Sequence, residues 1–131
     1  MPHPEEASPL ELKARKGLYL AGQMAGVEGY VESAALGGLA GTNAARVSLG
    51  LPAAQVPRES AHGALLAHLG NASAKDFQPM NVNFGLFPPL DRSAEPGRPR
   101  KLPKRDKHEA MAARGLEAIG RYRARVAPEC E

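Results

Sequence analysis

The fold of this chain is decided by residues 21–35, Ala-Gly-Gln-Met-Ala-Gly-Val-Glu-Gly-Tyr-Val-Glu-Ser-Ala-Ala. A short apolar run over residues 17–21 precedes the turn and predicts a buried strand. Glycines punctuate a turn over residues 22–29, and a stretch without proline over residues 30–49 predicts a helix. A glycine turn that opens a helix directs backbone N–H groups and a partial positive charge toward any anionic or acceptor-rich group. A tight connection without a ligand explains the same spacing, and no G-x-G-x-x-G fingerprint is present.

Length and composition favour one small domain with a core of small side chains. The chain has 131 residues, with 14 Gly, 12 Pro, three Phe, three Tyr and no Trp. Its longest run without Asp, Glu, Lys or Arg, residues 60–74, has 15 residues and is shorter than the roughly 18 to 20 apolar residues that a membrane span needs. The acidic residues Glu5 and Glu6 lie where a secretory signal would be basic. We therefore expect a cytoplasmic protein that has no contact with a membrane.

Proline, glycine and apolar spacing divide the rest of the chain. The predicted parts are an irregular lead-in over residues 1–16, a helix over residues 61–69 capped by Ser60, an extended segment within residues 77–90, a basic Pro-rich loop over residues 91–105, and a C-terminal helix from about 106 to 126 with a tail to 131. The apolar face predicted for the last helix consists of Ala112, Leu116, Ile119, Tyr122 and Val126.

The basic residues are concentrated toward the C-terminus. Residues 1–90 carry 6 basic and 7 acidic groups, whereas residues 91–125 carry 11 basic and 5 acidic groups. Four cations of the loop could contact RNA phosphates: Arg98, Arg100, Lys101 and Lys104. A solvated loop explains them equally well, because no aromatic residue interleaves them for base stacking.

Common catalytic and metal-binding patterns are absent from the sequence. The four histidines show no zinc-ligand spacing, and the lone Cys130 gives no Cys-x-x-Cys motif. Glu28 and Glu32 are one helical turn apart, which suits either an acid/base pair or, more simply, a Glu32 that caps the helix or faces solvent. We therefore assign no catalytic residue and no metal ligand.

Two separated motifs resemble a known family. Residues 21–35, followed by Leu-Ala-Gly-Thr-Asn-Ala-Ala at 39–45, resemble the C-terminal flavin-contacting segment of the folate- and FAD-dependent tRNA (uracil-5-)-methyltransferases. Phe-Gln-Pro-Met-Asn-Val-Asn-Phe-Gly-Leu-Phe-Pro-Pro-Leu at 77–90 resembles the same family. The related flavoproteins that modify the tRNA wobble uridine usually have Asn-Gly-Thr-Thr-Gly-Tyr where this chain has Ala-Gly-Val-Glu-Gly-Tyr at 25–30. The similarity to the methyltransferases covers about residues 8–125.

The resemblance implies a fold, a reaction and a set of cofactor contacts. The fold would be α/β, with residues 17–90 as the C-terminal piece of a Rossmann-like FAD-binding domain, mostly helical with one or a few short strands. Methylenetetrahydrofolate would supply a one-carbon unit and reduced FAD the electrons, and C5 of a uridine in the T-loop of tRNA would accept the carbon. The implied flavin-side residues are Gly22, Gln23, Val27, Glu28, Gly29 and Tyr30.

Members of that family are several hundred residues long, and their dinucleotide-binding half and catalytic cysteines have no counterpart here. We therefore expect a C-terminal portion that is inactive alone and depends on a chain carrying the N-terminal half. The alternatives are a non-enzymatic RNA-binding or interaction module that acts through residues 92–125, and part of the related wobble-uridine flavoprotein.

Overall fold

Three helices, joined by extended segments, make up most of the structure. The computed structural model describes residues 8–71, 78–90 and 102–127. Within these residues the helices are α1 (Tyr30–Ser48), α2 (Ala61–Asn71) and α3 (Lys104–Val126), and single 3₁₀ turns lie at Gly22–Ala25 and Phe84–Leu86. The prediction of a mostly helical chain is confirmed.

The predicted strand over residues 17–21 does not form a regular strand. Leu12 N donates to Leu18 O (2.8 Å) and Leu20 N donates to Leu10 O (3.0 Å), around an isolated antiparallel bridge between Glu11 and Tyr19. A strand needs a neighbouring ladder to pair its backbone groups. The described residues offer only this short pairing, so they contain no sheet and the α/β class is not seen in them.

Helix α1 confirms the predicted helix to within one residue of its end. Its buried side chains follow helical spacing and are Leu36, Leu39, Ala40, Asn43 and Arg46. At the end of this buried face, Arg46 Nε donates to Pro52 O (2.9 Å), which fixes the chain as it leaves the helix.

Helix α2 begins as predicted. Ser60 Oγ accepts from Gly63 N (3.0 Å) and donates to Pro57 O (2.6 Å), so the side chain caps the helix and also closes the preceding turn. The helix continues to Asn71, two residues past the predicted end. Leu65, at its centre, is 2% exposed and belongs to the core.

The apolar face predicted for α3 is wrong at its centre. Leu116 is 73% exposed, and the residues that are buried are Met111, Gly115, Ala118 and Tyr122. A Cβ at Gly115 would lie 2.9 Å from Glu59 O, so the small residue allows the backbone before α2 to approach. At the centre of α3, the small residues Gly115 and Ala118 therefore face the core instead of Leu116. The helix also begins two residues earlier than predicted, with Lys107 N donating to Pro103 O (3.0 Å).

The core joins the first of the two family motifs, residues 21–35, to the helices. Its fully or nearly buried apolar members are Val27, Leu36, Leu39, Leu65 and Tyr122. Partly buried side chains from α2, from α3, from residues 82–86 and from the segments outside the helices pack against them. Because Val27 precedes α1 by three residues, the turn that carries the flavin-side prediction is anchored directly in this core.

Candidate functional site

The turn before α1 has a backbone that requires glycine. Gly22, Gly26 and Gly29 have φ angles of 73°, 90° and 94°, in the region that side-chain-bearing residues rarely adopt. Between them a single 3₁₀ turn closes through Gly26 N to Gln23 O (3.0 Å) and Val27 N to Gly22 O (3.1 Å). The glycine spacing seen in the sequence therefore produces a compact, hydrogen-bonded turn.

The inner side of this turn is fixed by the second of the two family motifs, which is residues 77–90 and is called the second motif. Val27 is fully buried and forms an isolated parallel bridge with Met80. Glu28 N donates to Met80 O (3.1 Å) and Met80 N donates to Gly26 O (3.2 Å). The two motifs that resemble the methyltransferases are thus paired through their backbones.

Glu32 and Asn81 join the two motifs at the start of α1. Asn81 Nδ2 donates to Glu28 O (3.2 Å) and to Glu32 Oε1 (3.3 Å). Hydrogen bonds from its own backbone N–H, from the Asn81 amide and from the Val82 backbone lower the pKa of Glu32. Hydrogen bonds therefore hold Glu32 at the start of α1, and this geometry gives no support to an acid/base pair with Glu28.

The outer side of the turn is open. Tyr30 is 97% exposed, Val31 80% and Met24 82%. The backbone N–H groups of Tyr30 and Val31 occupy the first two positions of α1, where no carbonyl of the preceding turn is available. They have no hydrogen-bond partner within the described part of the chain. The site thus combines a buried back with an exposed front that carries free donors.

The structure brings the six predicted flavin-side residues into one turn but does not expose them equally. Gln23, Glu28, Gly29 and Tyr30 are exposed and Gly22 is half-buried. Val27 is fully buried, so its side chain belongs to the core and cannot reach a surface ligand. Of the four predicted RNA contacts, Lys104 is the exposed first residue of α3, whereas Arg98, Arg100 and Lys101 lie outside the described residues. Cys130 lies outside them as well.

A second concave surface lies between the segment over residues 82–87 and α3, and we call it the aromatic groove. It has a volume of about 740 Å³. The Phe84 and His108 rings stack there, with centroids 4.2 Å apart and planes 17° apart, and Phe87 lies 5.3 Å from Phe84. The groove is also lined by His62, Lys104, Ala112, Leu116 and Ile119.

The sequence did not reveal two features of these sites. The Asn81 amide bonds Glu28 and Glu32, which lie 53 and 49 positions earlier in the chain. In the sequence, the only indication of Asn81 was its place in the second motif. Phe84 and His108 are 24 residues apart with the basic loop between them, so their stacking could not be read from spacing. The phenylalanines of the second motif were the signal, and their partner on α3 was missed.

Neither a metal-ligating cluster nor a membrane-spanning helix occurs in the part of the chain that the structure describes. In residues 8–71, 78–90 and 102–127, no group of three or more His, Cys, Asp or Glu side chains is placed to hold a metal ion. The same part of the chain contains no helix long and apolar enough to cross a membrane.

Comparison with known proteins gives one consistent family. The family model described as "Glucose inhibited division protein A" matches residues 2–52. A "Methylenetetrahydrofolate--tRNA-(uracil-5-)-methyltransferase TrmFO" of Desulforudis audaxviator is 54% identical over 86% of this chain and 24% of its own length. A protein of the same name from Thermus thermophilus is 48% identical over 91% of this chain and 25% of its own length.

A third relative of that name, from Dinoroseobacter shibae, is 63% identical over 63% of this chain and 18% of its own length. The chain therefore spans about a quarter of the length of the first two of these curated relatives. Over that quarter, this chain belongs to the family of the TrmFO tRNA (uracil-5-)-methyltransferases.

Proposed function

We propose that this chain forms the flavin-side wall of an enzyme that makes 5-methyluridine in the T-loop of tRNA. The names of its relatives support the donor and the acceptor, because they specify methylenetetrahydrofolate and a tRNA uracil. Reduced FAD supplies the electrons when it is bound. In this proposal the chain is the C-terminal piece of a Rossmann-like FAD-binding domain in the cytoplasm.

One observation carries the proposal, namely the contrast between the two sides of the turn over residues 22–30. The inner side is held by the Val27–Met80 bridge and by Asn81, while the outer side exposes Gln23, Glu28 and Tyr30. A turn that only connected two elements would need no second motif to fix it. A fixed backbone with an open face is what close positioning of a planar ring requires.

The donors on this open face fit the edge of a reduced flavin. The free N–H groups of Tyr30 and Val31 lie at the positive end of a 19-residue helix. Reduction places negative charge on the pyrimidine edge of the flavin, and such an edge accepts hydrogen bonds from N–H donors. Glu32 carries an opposing negative charge, but its carboxylate is held by Asn81. We infer that Asn81 keeps this carboxylate from turning toward the ring.

We propose that this chain supplies contacts and that the nucleophile comes from the rest of the enzyme. Within the described residues there is no cysteine, and activation of a uracil ring requires a nucleophile to attack it. We therefore propose that the chain is inactive alone. Activity would require the part of the enzyme that corresponds to the remaining three quarters of the relatives, either in the same polypeptide or in a partner chain.

The test is a chimera in which this chain replaces the matching quarter of the Thermus thermophilus relative. The purified chimera is predicted to retain FAD, measured by flavin absorbance per polypeptide. Gly29→Ala should lower this occupancy, because a Cβ there would overlap the Glu32 carboxylate and lie 2.7 Å from Asn81 Nδ2. Gly41→Ala is the matched control, since a Cβ at Gly41 meets nothing within 4 Å. A folded chimera without flavin would refute the proposal.

A further inference from the structure

We propose that the aromatic groove binds a nucleobase of single-stranded RNA, stacked against the Phe84–His108 pair, with an adjoining phosphate at Lys104. The inference rests on the proposed function for the presence of an RNA substrate. It goes beyond that function by assigning a base-binding site away from the flavin-side turn.

The aromatic wall has the geometry of a stacking platform. Phe84 and His108 are nearly parallel at 4.2 Å, and Phe87 extends the ring surface beside them. Base–aromatic stacking tolerates any sequence because every base has a flat π face. The basic loop has no aromatic residue of its own, and the segments that precede and follow it in the sequence supply the rings.

The remaining walls are mostly apolar. Ala112 and Ile119 are half-buried, and Leu116 leaves 73% of its surface exposed. Burial lowers the pKa of His62, so this side chain is neutral at pH 7. Such walls shield a stacked base from water without competing for it by charge.

One cationic side chain, that of Lys104, lines the groove. Lys104 forms no ion pair with any residue that the structure describes. Its neighbour Arg105, in contrast, pairs with Glu109 at 3.2 Å. A purely apolar ligand has no anionic group for this lysine, whereas a base linked to a phosphate uses both the rings and the charge. The combination favours RNA as the occupant.

The groove is fixed in shape before any ligand binds. Arg114 donates from its guanidinium to Pro88 O and, at 3.2 Å, to Pro89 O, which holds the end of the second motif against α3. Asn83 Oδ1 accepts from Gly85 N (2.9 Å) and closes the 3₁₀ turn that carries Phe84. A preformed wall lowers the entropic cost of stacking a flexible strand.

The experiment measures binding of the 131-residue chain to two fluorescent RNA strands of about eight nucleotides. One strand carries uracil at every position, and the other has the same phosphates but no bases. The base-containing strand is predicted to bind about fivefold or more tightly, because each stacked base contributes separately from the phosphates. Equal affinity for the two strands, or no binding of either at low salt, would overturn the inference without any variant.

Variants then locate the stacking surface. Phe84→Leu keeps an apolar side chain and His108→Ala keeps the helix, but each removes a ring, so each should reduce the advantage of the base-containing strand. Leu49→Ala removes apolar surface that is 69% exposed and lies outside the groove, and it leaves both rings, so it should leave that advantage unchanged. If Leu49→Ala weakens binding as much as the ring variants do, the groove is not where the base binds and the inference fails.

This outcome is separate from the fate of the proposed function. FAD occupancy of the chimera depends on the turn over residues 22–30 and not on the groove. A chimera that holds FAD while the chain shows no preference for bases would refute the stacking site alone.

Discussion

The amide of Asn81 bonds both the carbonyl of Glu28 and the carboxylate of Glu32, at 3.2 and 3.3 Å. One side chain therefore connects the end of the glycine turn, the first turn of α1 and the second motif. Glu32 is held at the helix start by this amide, and Gly29 beside it has no room for a side chain. The geometry of the proposed flavin wall depends on these contacts.

Replacing Asn81 is predicted to raise the pKa of Glu32 toward its ordinary value of 4.5. The folded-state pKa is lowered, so the stabilisation from Glu32 is present above its unfolded pKa and is lost as pH falls through the folded value. Asn81→Ala should therefore reduce the stability that Glu32 contributes above this pH and loses in acid. An NMR titration of the Glu32 carboxyl carbon measures the Glu32 pKa, with Asn83→Ala as the control. An unchanged Glu32 pKa in Asn81→Ala would show that the amide bond is not formed in solution.

The fully buried Asn43 is predicted to be a major contributor to stability. Its Oδ1 accepts from Ala54 N (2.8 Å) and its Nδ2 donates to Ala54 O (3.2 Å). Asn43→Ala leaves both backbone groups without this partner and should lower the free energy of unfolding by about 1–3 kcal/mol. Urea unfolding measures this loss. The neighbouring Thr42→Ala should change stability much less, because Thr42 only bonds Gly38 O within its own exposed helix face; equal losses would contradict the assignment.

Two glycines of α3 are predicted to respond oppositely to alanine. Gly115→Ala should destabilise by about 1–3 kcal/mol, because the Cβ would press on Glu59 O. Gly120→Ala should stabilise by up to about 1 kcal/mol, since its Cβ meets nothing and alanine favours a helix. Thermal unfolding of both variants gives the comparison. A stabilising Gly115→Ala would mean that α3 does not pack on the start of α2 as described.

The basic residues are predicted to contribute to RNA affinity through phosphates. Converting Arg98, Arg100, Lys101 and Lys104 to alanine together should weaken tRNA binding. It should also reduce the slope of log K against log salt concentration by up to about 3–4, if all four contact phosphates. A filter-binding titration at several salt concentrations measures both quantities. An unaltered slope would assign these residues to a solvated loop.

Much of the helical structure could be predicted because it is encoded locally. The absence of proline over residues 30–49 and the cap at Ser60 are contained in short windows, and α1 and α2 begin where they were expected. The strand over residues 17–21 failed because a strand depends on a distant partner, and its apolar composition does not supply one.

The buried face of α3 failed for a related reason. Leu116 is the largest apolar residue near the helix centre, yet Gly115 is buried because a backbone 56 residues earlier in the chain approaches it. Periodicity indicates which residues share a face but not which face meets a neighbour. Part of the predicted face lines the aromatic groove instead. The prediction therefore placed this surface in the core, whereas we propose that it binds a base.

In the candidate site, the glycine turn was predictable because positive φ angles require glycine. The burial of Val27 was not, since it depends on the bridge to Met80, 53 residues away. Contacts of that kind carry no local signal.

Formation of 5-methyluridine tests the central claim most directly. Unmodified tRNA is incubated with methylenetetrahydrofolate, FAD and a reductant, together with either the purified chain or the chimera that supplies the rest of the enzyme. The chain alone is predicted to give only background 5-methyluridine, and the chimera is predicted to form it. Turnover by the chain alone would contradict the account, because it would require catalytic residues within these 131 positions.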